Sequence, residues 1–129
     1  MESTFKFLIS IIFFTLLINE SSSCALNSLQ IVQENTGALE QGKPVWKVSV
    51  INNCDCGQSQ ILLSCKGFQT VVQIDPLVLK MQGDNCLLFN GHLLSYKDID
   101  AFEYAWDTSF PFAPVSAVTS PPPCHSPKN

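Results

Sequence analysis

Residues 45–52, Val-Trp-Lys-Val-Ser-Val-Ile-Asn, alternate between apolar and polar side chains. Trp46, Val48 and Val50 fall on one face of this run, and Lys47 falls on the other. A period of two residues, carried by β-branched and aromatic side chains, is typical of a β-strand with one buried face. The core is therefore expected to form on one face of a β-sheet rather than between helices.

Six more runs with strand character lie on both sides of this one. In chain order they are 29–32, 60–65, 70–75, 87–89, 101–106 and 115–118. The side chains expected to face inward in the clearest three are Ile61, Leu63, Cys65, Val72, Ile74, Phe102, Tyr104 and Trp106. Gly, Pro, Asn and Asp separate the runs, and residues 76–81 could form at most one helical turn. Seven short strands between turns predict an all-β antiparallel sandwich.

Six cysteines, an even number, follow an N-terminal apolar segment. They are Cys24, Cys54, Cys56, Cys65, Cys86 and Cys124. In a small exported chain an even set predicts a disulfide framework, here three bonds that each contribute about 2–4 kcal/mol. The expected fold class is therefore a small disulfide-stapled antiparallel β-sandwich.

The pairing of these cysteines stays open, because about fifteen arrangements are possible. If the strand at 45–52 formed a hairpin with the strand that follows it, Cys65 would not lie opposite Cys54. A bond between those two cysteines is therefore not expected, and Cys54 and Cys56 should reach other elements.

Two other roles for the cysteines are less well supported. The four cysteines between residues 54 and 86 could bind zinc, but Cys54 and Cys56 are closer together than the usual spacing of zinc ligands. A catalytic thiol needs a histidine partner, and the histidines of the chain are His92 and His125. No metal, cofactor or catalytic residue is expected, and the chain is predicted not to be an enzyme.

An apolar run of about a dozen residues at 7–18 has the length of a signal h-region and is too short to span a bilayer. Cleavage after Ser23 keeps Cys24 and the even cysteine count, whereas cleavage after Ala25 leaves an odd thiol. The expected organisation is a signal peptide at 1–23, a β-sandwich domain at 24–119 and a proline-rich tail with Cys124 at 120–129.

The composition argues against one class of partner. The formal net charge is −4, and all seven basic residues are lysines. Arginine is the usual reader of phosphate and of guanine edges, so nucleic-acid binding is not expected. After signal cleavage the chain is expected to be a soluble extracellular monomer that does not insert into a membrane.

Several motifs, in order and with their cysteine spacing, resemble the Tapetum Determinant-like family of small secreted plant proteins. Cys24, shortly before the strand at 29–32, matches the first cysteine of that family. The other matching positions are 48–54, Cys56, Ile61, Cys65, Phe68, 74–76, 84–87, 90–91, 102–105 and 110–112.

The resemblance implies a cysteine-rich protein exported to the apoplast. The founding member of the family is a ligand of a leucine-rich-repeat receptor kinase that specifies tapetal cells in anthers. By resemblance, the expected function is an extracellular signalling ligand, recognised by such a receptor ectodomain, that controls cell fate in reproductive development.

Phe110, Pro111 and Phe112 form an aromatic loop after the last clear strand. Rigid aromatic anchors make good interface contacts, so these three residues are the candidate receptor-binding site. The alternative is that both rings fold back and cover the end of the sandwich.

An acidic cluster at 98–103 could suggest acid–base chemistry, but acidic residues beside a strand are usually only solvated.

A second candidate function is a carbohydrate-binding β-sandwich of the plant cell wall. Such a module needs a flat row of solvent-facing Trp and Tyr side chains. The Trp and Tyr residues of this chain mostly fall on the inward faces of strands, which favours the signalling ligand.

Overall fold

Residues 24–121 and Cys124 are described by the computed structural model. The predicted signal peptide and most of the predicted tail lie outside the described residues. Within the described residues, seven strands form two antiparallel sheets. The strands are β1 Leu29–Glu40, β2 Lys43–Asn52, β3 Gln58–Ser64, β4 Leu79–Gln82, β5 Asn85–Leu88, β6 Ile99–Ala105 and β7 Ala113–Thr119, with 3₁₀ turns at Leu26–Ser28 and Phe89–Gly91. The strand order is β1-β2-β6 in the first sheet and β4-β5-β3-β7 in the second. The predicted all-β sandwich is confirmed.

β2 is the central strand of the first sheet, and its inner face is the one that the alternation predicts. Val48 and Val50 are fully buried, and Val48 lies opposite Phe102 of β6. Its other neighbour is β1, which precedes it in the chain. The two strands are joined by a tight turn at Gln41 and Gly42, which both have positive φ. The first sheet therefore contributes one apolar face to the core.

β3 is a central strand of the second sheet, and the predicted inward residues Ile61, Leu63 and Cys65 are all buried. The premise of a β2–β3 hairpin was wrong, because β3 pairs with β5 and β7 instead. The chain crosses from one sheet to the other between Asn52 and Gln58. Both strands can then bury their apolar faces against each other across the sandwich, which a hairpin in one sheet would not allow.

The predicted strand at residues 70–75 was also wrong, since these residues lie in an irregular loop. Thr70 explains part of the difference. Its Oγ1 accepts a hydrogen bond from the backbone N of Val72 at 3.1 Å and donates to the carbonyl oxygen of the same residue at 3.2 Å. Such local side-chain bonds compete with a strand ladder. Val72 and Ile74 are still partly buried, and the next strand begins at Leu79.

Three disulfides pair all six cysteines of the chain. The bonds are Cys24–Cys54, Cys56–Cys124 and Cys65–Cys86. Cys54 and Cys56 therefore each reach an element far away in the sequence, and none of the four cysteines at 54–86 is a free thiol. Within the described residues, no helix is long and apolar enough to cross a bilayer.

Two buried amide side chains, Asn52 and Gln58, connect the sheets where the chain crosses between them. Asn52 Nδ2 donates to the carbonyl oxygens of Cys56 and Leu94, at 3.0 and 2.8 Å. Asn52 Oδ1 accepts from the backbone N of Cys54 at 2.9 Å and from Gln58 Nε2 at 3.1 Å. We call this arrangement the amide network. It fixes the short segment that carries two of the bridged cysteines.

Candidate functional site

Five aromatic rings fill the end of the sandwich where β2 begins and β6 ends. Neighbouring ring centroids lie 4.9–5.8 Å apart, mostly edge to face, which is the favoured geometry for aromatic pairs. We call them the aromatic cluster: Phe68, Phe102, Tyr104, Phe110 and Phe112. The cluster connects β6 of the first sheet, and the segment that leads into β7, to the loop at residues 66–78.

The three residues proposed as a receptor-binding site occupy different environments. Phe112 is only 8% exposed and belongs to the core, with its ring 5.7 Å from that of Phe102. Phe110 is partly exposed, and Pro111 is exposed. Their backbone runs over the end of the sandwich, so a contact role falls more naturally on Phe110 and Pro111 than on Phe112.

A closed set of hydrogen bonds fixes the backbone at Phe110. Tyr104 Oη accepts from the backbone N of Phe110 at 2.7 Å and donates to Gln33 Oε1 at 2.6 Å. Gln33 Nε2 in turn donates to the carbonyl oxygen of Phe110. Both backbone groups of Phe110 are therefore held by side chains from β1 and β6. Burial raises the pKa of Tyr104 above its ordinary value, against the lowering effect of the Phe110 hydrogen bond.

This raised pKa predicts a loss of stability in alkali. The Tyr104 hydroxyl ionises more easily in the unfolded chain, at about pH 10, than in the folded protein. Its contribution is therefore fully present below pH 10 and is lost as the pH rises through the folded-state pKa. Urea unfolding between pH 9 and about 11.5 should show a steeper decline for the wild type than for Tyr104→Phe. Equal slopes in the wild type and in Tyr104→Phe would contradict the prediction.

A groove of about 630 Å³ lies beside the aromatic cluster. The loop at residues 66–78 forms one wall, β4 forms the other, and Trp106 lies at one end. The lining residues are Phe68, Gln69, Thr70, Val71, Val72, Gln73, Ile74, Leu79, Met81 and Trp106. Phe68 belongs both to the groove and to the aromatic cluster, so the two features form one continuous surface.

The loop wall of the groove is held in place by hydrogen bonds to its neighbours. The backbone N of Val71 donates to the carbonyl oxygen of Ala105 at 3.0 Å, and the backbone N of Ala105 donates to Thr70 Oγ1 at 3.1 Å. Gln41, in the β1–β2 turn, donates through Nε2 to the carbonyl oxygen of Val71 at 3.1 Å. The loop is therefore tied to the end of β6 and to the β1–β2 turn, and the groove is preformed.

Polar contacts also orient Trp106 at the end of the groove. Its carbonyl oxygen accepts a hydrogen bond from Trp46 Nε1 at 3.1 Å. Lys43 Nζ lies 5.3 Å from the Trp106 ring centroid and 2.8 Å from Asp107 Oδ1. A cation over an indole face restrains the ring, so Trp106 presents a fixed apolar surface.

The acidic cluster is used in surface contacts. Asp100 pairs with His92, and Asp98 Oδ2 accepts from the backbone N of Ser95 at 3.2 Å. Glu103 lies opposite Lys47 in the β2–β6 pairing. Residues 24–121 contain no group of three or more side chains suited to holding a metal ion. Asp98, Asp100 and Glu103 thus each lie beside a different neighbour along the surface.

The sequence has relatives among known proteins. The profile of the family described as Tapetum determinant 1, C-terminal, matches residues 25–120. The chain is also similar to TPD1 protein homolog 1 of Arabidopsis thaliana, with 30% identity over 96 residues. That match covers 72% of this chain and 54% of the relative, so the chain spans about half the length of that protein. No solved structure is significantly similar to the chain. The region matched by the profile contains all seven strands, the aromatic cluster and the groove.

Proposed function

The chain belongs to the tapetum determinant family, and from this we propose that it is a secreted signalling ligand of the plant apoplast. In this proposal a leucine-rich-repeat receptor kinase binds the protein through its ectodomain and controls cell fate in plant reproductive development. The protein acts by binding and not by catalysis. Three disulfides support the extracellular location, since such bonds persist in oxidising compartments.

The observation that supports a binding role most directly is the preformed groove next to Phe110 and Pro111. We call the groove and these two residues the contact surface. Its walls are mostly apolar, and hydrogen bonds already fix both the loop wall and the Phe110 backbone. A partner would therefore bury apolar surface without ordering the ligand, which lowers the entropy cost of association. Phe112 supports this surface from the core.

The carbohydrate-binding alternative is less well supported. Sugar binding on a sheet face requires exposed aromatic rings in a flat row. Within residues 24–121, Tyr104 is buried, and Trp46, Tyr96 and Trp106 are each partly buried. Trp106 is also covered on one side by Lys43. A surface that recognises apolar side chains of a protein fits these positions better than a platform for sugars.

A binding experiment tests the proposal on the secreted protein. Leucine-rich-repeat receptor ectodomains from the source tissue are screened for binding to the wild type and to Val72→Lys, which places a charge in the groove. A hot-spot contact is worth about 2 kcal/mol, so Val72→Lys should weaken binding by about thirtyfold. Phe110→Ala should weaken it in the same direction.

The matched control is Val118→Lys, the same chemical change at an exposed position of β7. This variant should bind like the wild type. Equal weakening by both lysine variants would place the contact surface elsewhere. Failure of the wild type to bind any ectodomain would overturn the proposed function itself.

A further inference from the structure

Met81 lies with its sulfur against the Cys65–Cys86 disulfide. Its Sδ is 3.2 Å from Cys86 Sγ and 3.8 Å from Cys65 Sγ. Strand pairing fixes this arrangement, because Met81 is the direct partner of Cys86 in the β4–β5 ladder. Both cysteines are fully buried, whereas Met81 is 53% exposed. The Met81 side chain is thus half-exposed at the surface, while the two disulfide sulfurs that its Sδ contacts belong to buried residues.

Met81 is also the one methionine within residues 24–121. All six cysteines are already in disulfides, so no thiol competes for an oxidant. The chain has two methionines, and the other is Met1, within the predicted signal peptide. Thioethers are the next most sensitive side chains to peroxides after thiols.

We propose that Met81 is a site of oxidative modification by hydroperoxides, which changes both the stability of the β4–β5 hairpin and the polarity of the groove. The sulfur lone pair attacks the terminal peroxide oxygen, the O–O bond breaks and an S–O bond forms. The leaving hydroxide, or the alkoxide of an organic hydroperoxide, takes the proton of the transferred oxygen and departs as water or as the alcohol. Sulfur is oxidised by two electrons and the peroxide is reduced; sulfoxide reductases reverse the change.

The position of Met81 determines the consequence. A sulfoxide replaces a soft apolar sulfur with a polar group, which disrupts cores and methionine contacts. If the new oxygen stays against the buried disulfide, a polar group is desolvated at a cost. If the side chain turns away, Met81 loses its sulfur contact with Cys86 Sγ. In both cases the wall of the groove that Met81 shares with Leu79 becomes less apolar.

The test uses the secreted protein and hydrogen peroxide and needs no receptor. The wild type should gain one oxygen, mapped to Met81 by peptide mass analysis, and its melting temperature should fall by roughly 4–8 °C. Amide exchange should become faster across Leu79–Gln82. Met81→Leu should gain no oxygen and keep its melting temperature, and Met81→Gln should match the oxidised wild type without peroxide.

Two results would overturn the proposal. The first is a wild-type protein that stays unmodified at a peroxide dose that fully oxidises free methionine. The second is an oxidised protein whose melting temperature and amide exchange equal those of the untreated protein. If Met81→Gln does not fold, the oxidised wild type carries the comparison alone.

Discussion

Replacing Phe112 with alanine should destabilise the fold by about 3–5 kcal/mol, a large part of the 5–15 kcal/mol typical of a domain. The ring is 8% exposed and packs against the rings of Phe102 and Tyr104 in β6 and of Phe68 in the loop at residues 66–78. Its removal leaves a cavity that the neighbouring rings cannot fill without losing their own contacts. Urea unfolding of the purified protein measures the loss directly.

The matched comparison is Phe110→Ala, two residues away and with the same change of side chain. Its ring is partly exposed, and Tyr104 and Gln33 still hold its backbone, so the cost should be nearer 1 kcal/mol. Phe112→Ala should therefore lower secretion, whereas Phe110→Ala should be secreted and show its effect in binding. If both variants unfold at the wild-type urea concentration, the cluster does not stabilise the fold as described.

The strands were predictable where local pattern and tertiary packing agree. Val48, Val50, Ile61 and Leu63 alternate with polar neighbours, and each is buried in the core. The run at 70–75 has the same alternation but forms a loop. Thr70 Oγ1 hydrogen-bonds the backbone of Val72, and the backbone N of Val71 donates to Ala105 at the end of β6. An alternating pattern indicates which side chains become buried. It does not indicate whether a neighbouring strand is available for backbone pairing.

The disulfides were also predictable only in part. Their even number and the predicted export indicated a disulfide framework, and the structure contains three bonds. The pairing depends on how β2 and β3 are placed, and these strands lie in different sheets. That placement depends on contacts between distant segments, which spacing along the chain does not encode.

The candidate site was the least predictable part. Phe110, Pro111 and Phe112 stood out in the sequence as a rigid aromatic loop, but nothing local indicated that Phe68 would contact both rings. The groove combines the loop at residues 66–78 with β4 and with Trp106. Only the turn-forming residues Gly67 and Asp75-Pro76 of that loop indicated an irregular backbone in advance. A surface assembled from segments this far apart emerges from the fold as a whole.

Asn52→Ala should be at least as damaging as the loss of a core ring, with an expected cost of about 3 kcal/mol or more. Asn52 is fully buried, and its amide makes four hydrogen bonds. Truncation leaves buried partners without a bond, and each such group costs about 1–3 kcal/mol. The affected partners belong to four places in the chain: Cys54, Cys56, Gln58 and Leu94.

Two further variants isolate the contribution of the amide network to stability. Asn53→Ala changes the exposed neighbour and should stay within about 0.5 kcal/mol of the wild type. Asn52→Asp keeps the oxygen that accepts from Cys54 and Gln58 but cannot donate to the two carbonyl oxygens, and it buries a charge. It should therefore be no more stable than Asn52→Ala. An Asn52→Ala protein that unfolds like Asn53→Ala would show that the network does not stabilise the crossover.

The same variant should also disturb disulfide formation, because Asn52 binds the backbone of both Cys54 and Cys56. These cysteines are separated by one residue and bond to opposite ends of the chain, Cys24 and Cys124. Without the amide, little distinguishes one thiol from the other during oxidation. Mass mapping without reduction should then find Cys24–Cys56 and Cys54–Cys124 beside the native bonds in Asn52→Ala and only native bonds in Asn53→Ala. Native pairing in both variants would mean that the strands alone direct the cysteines.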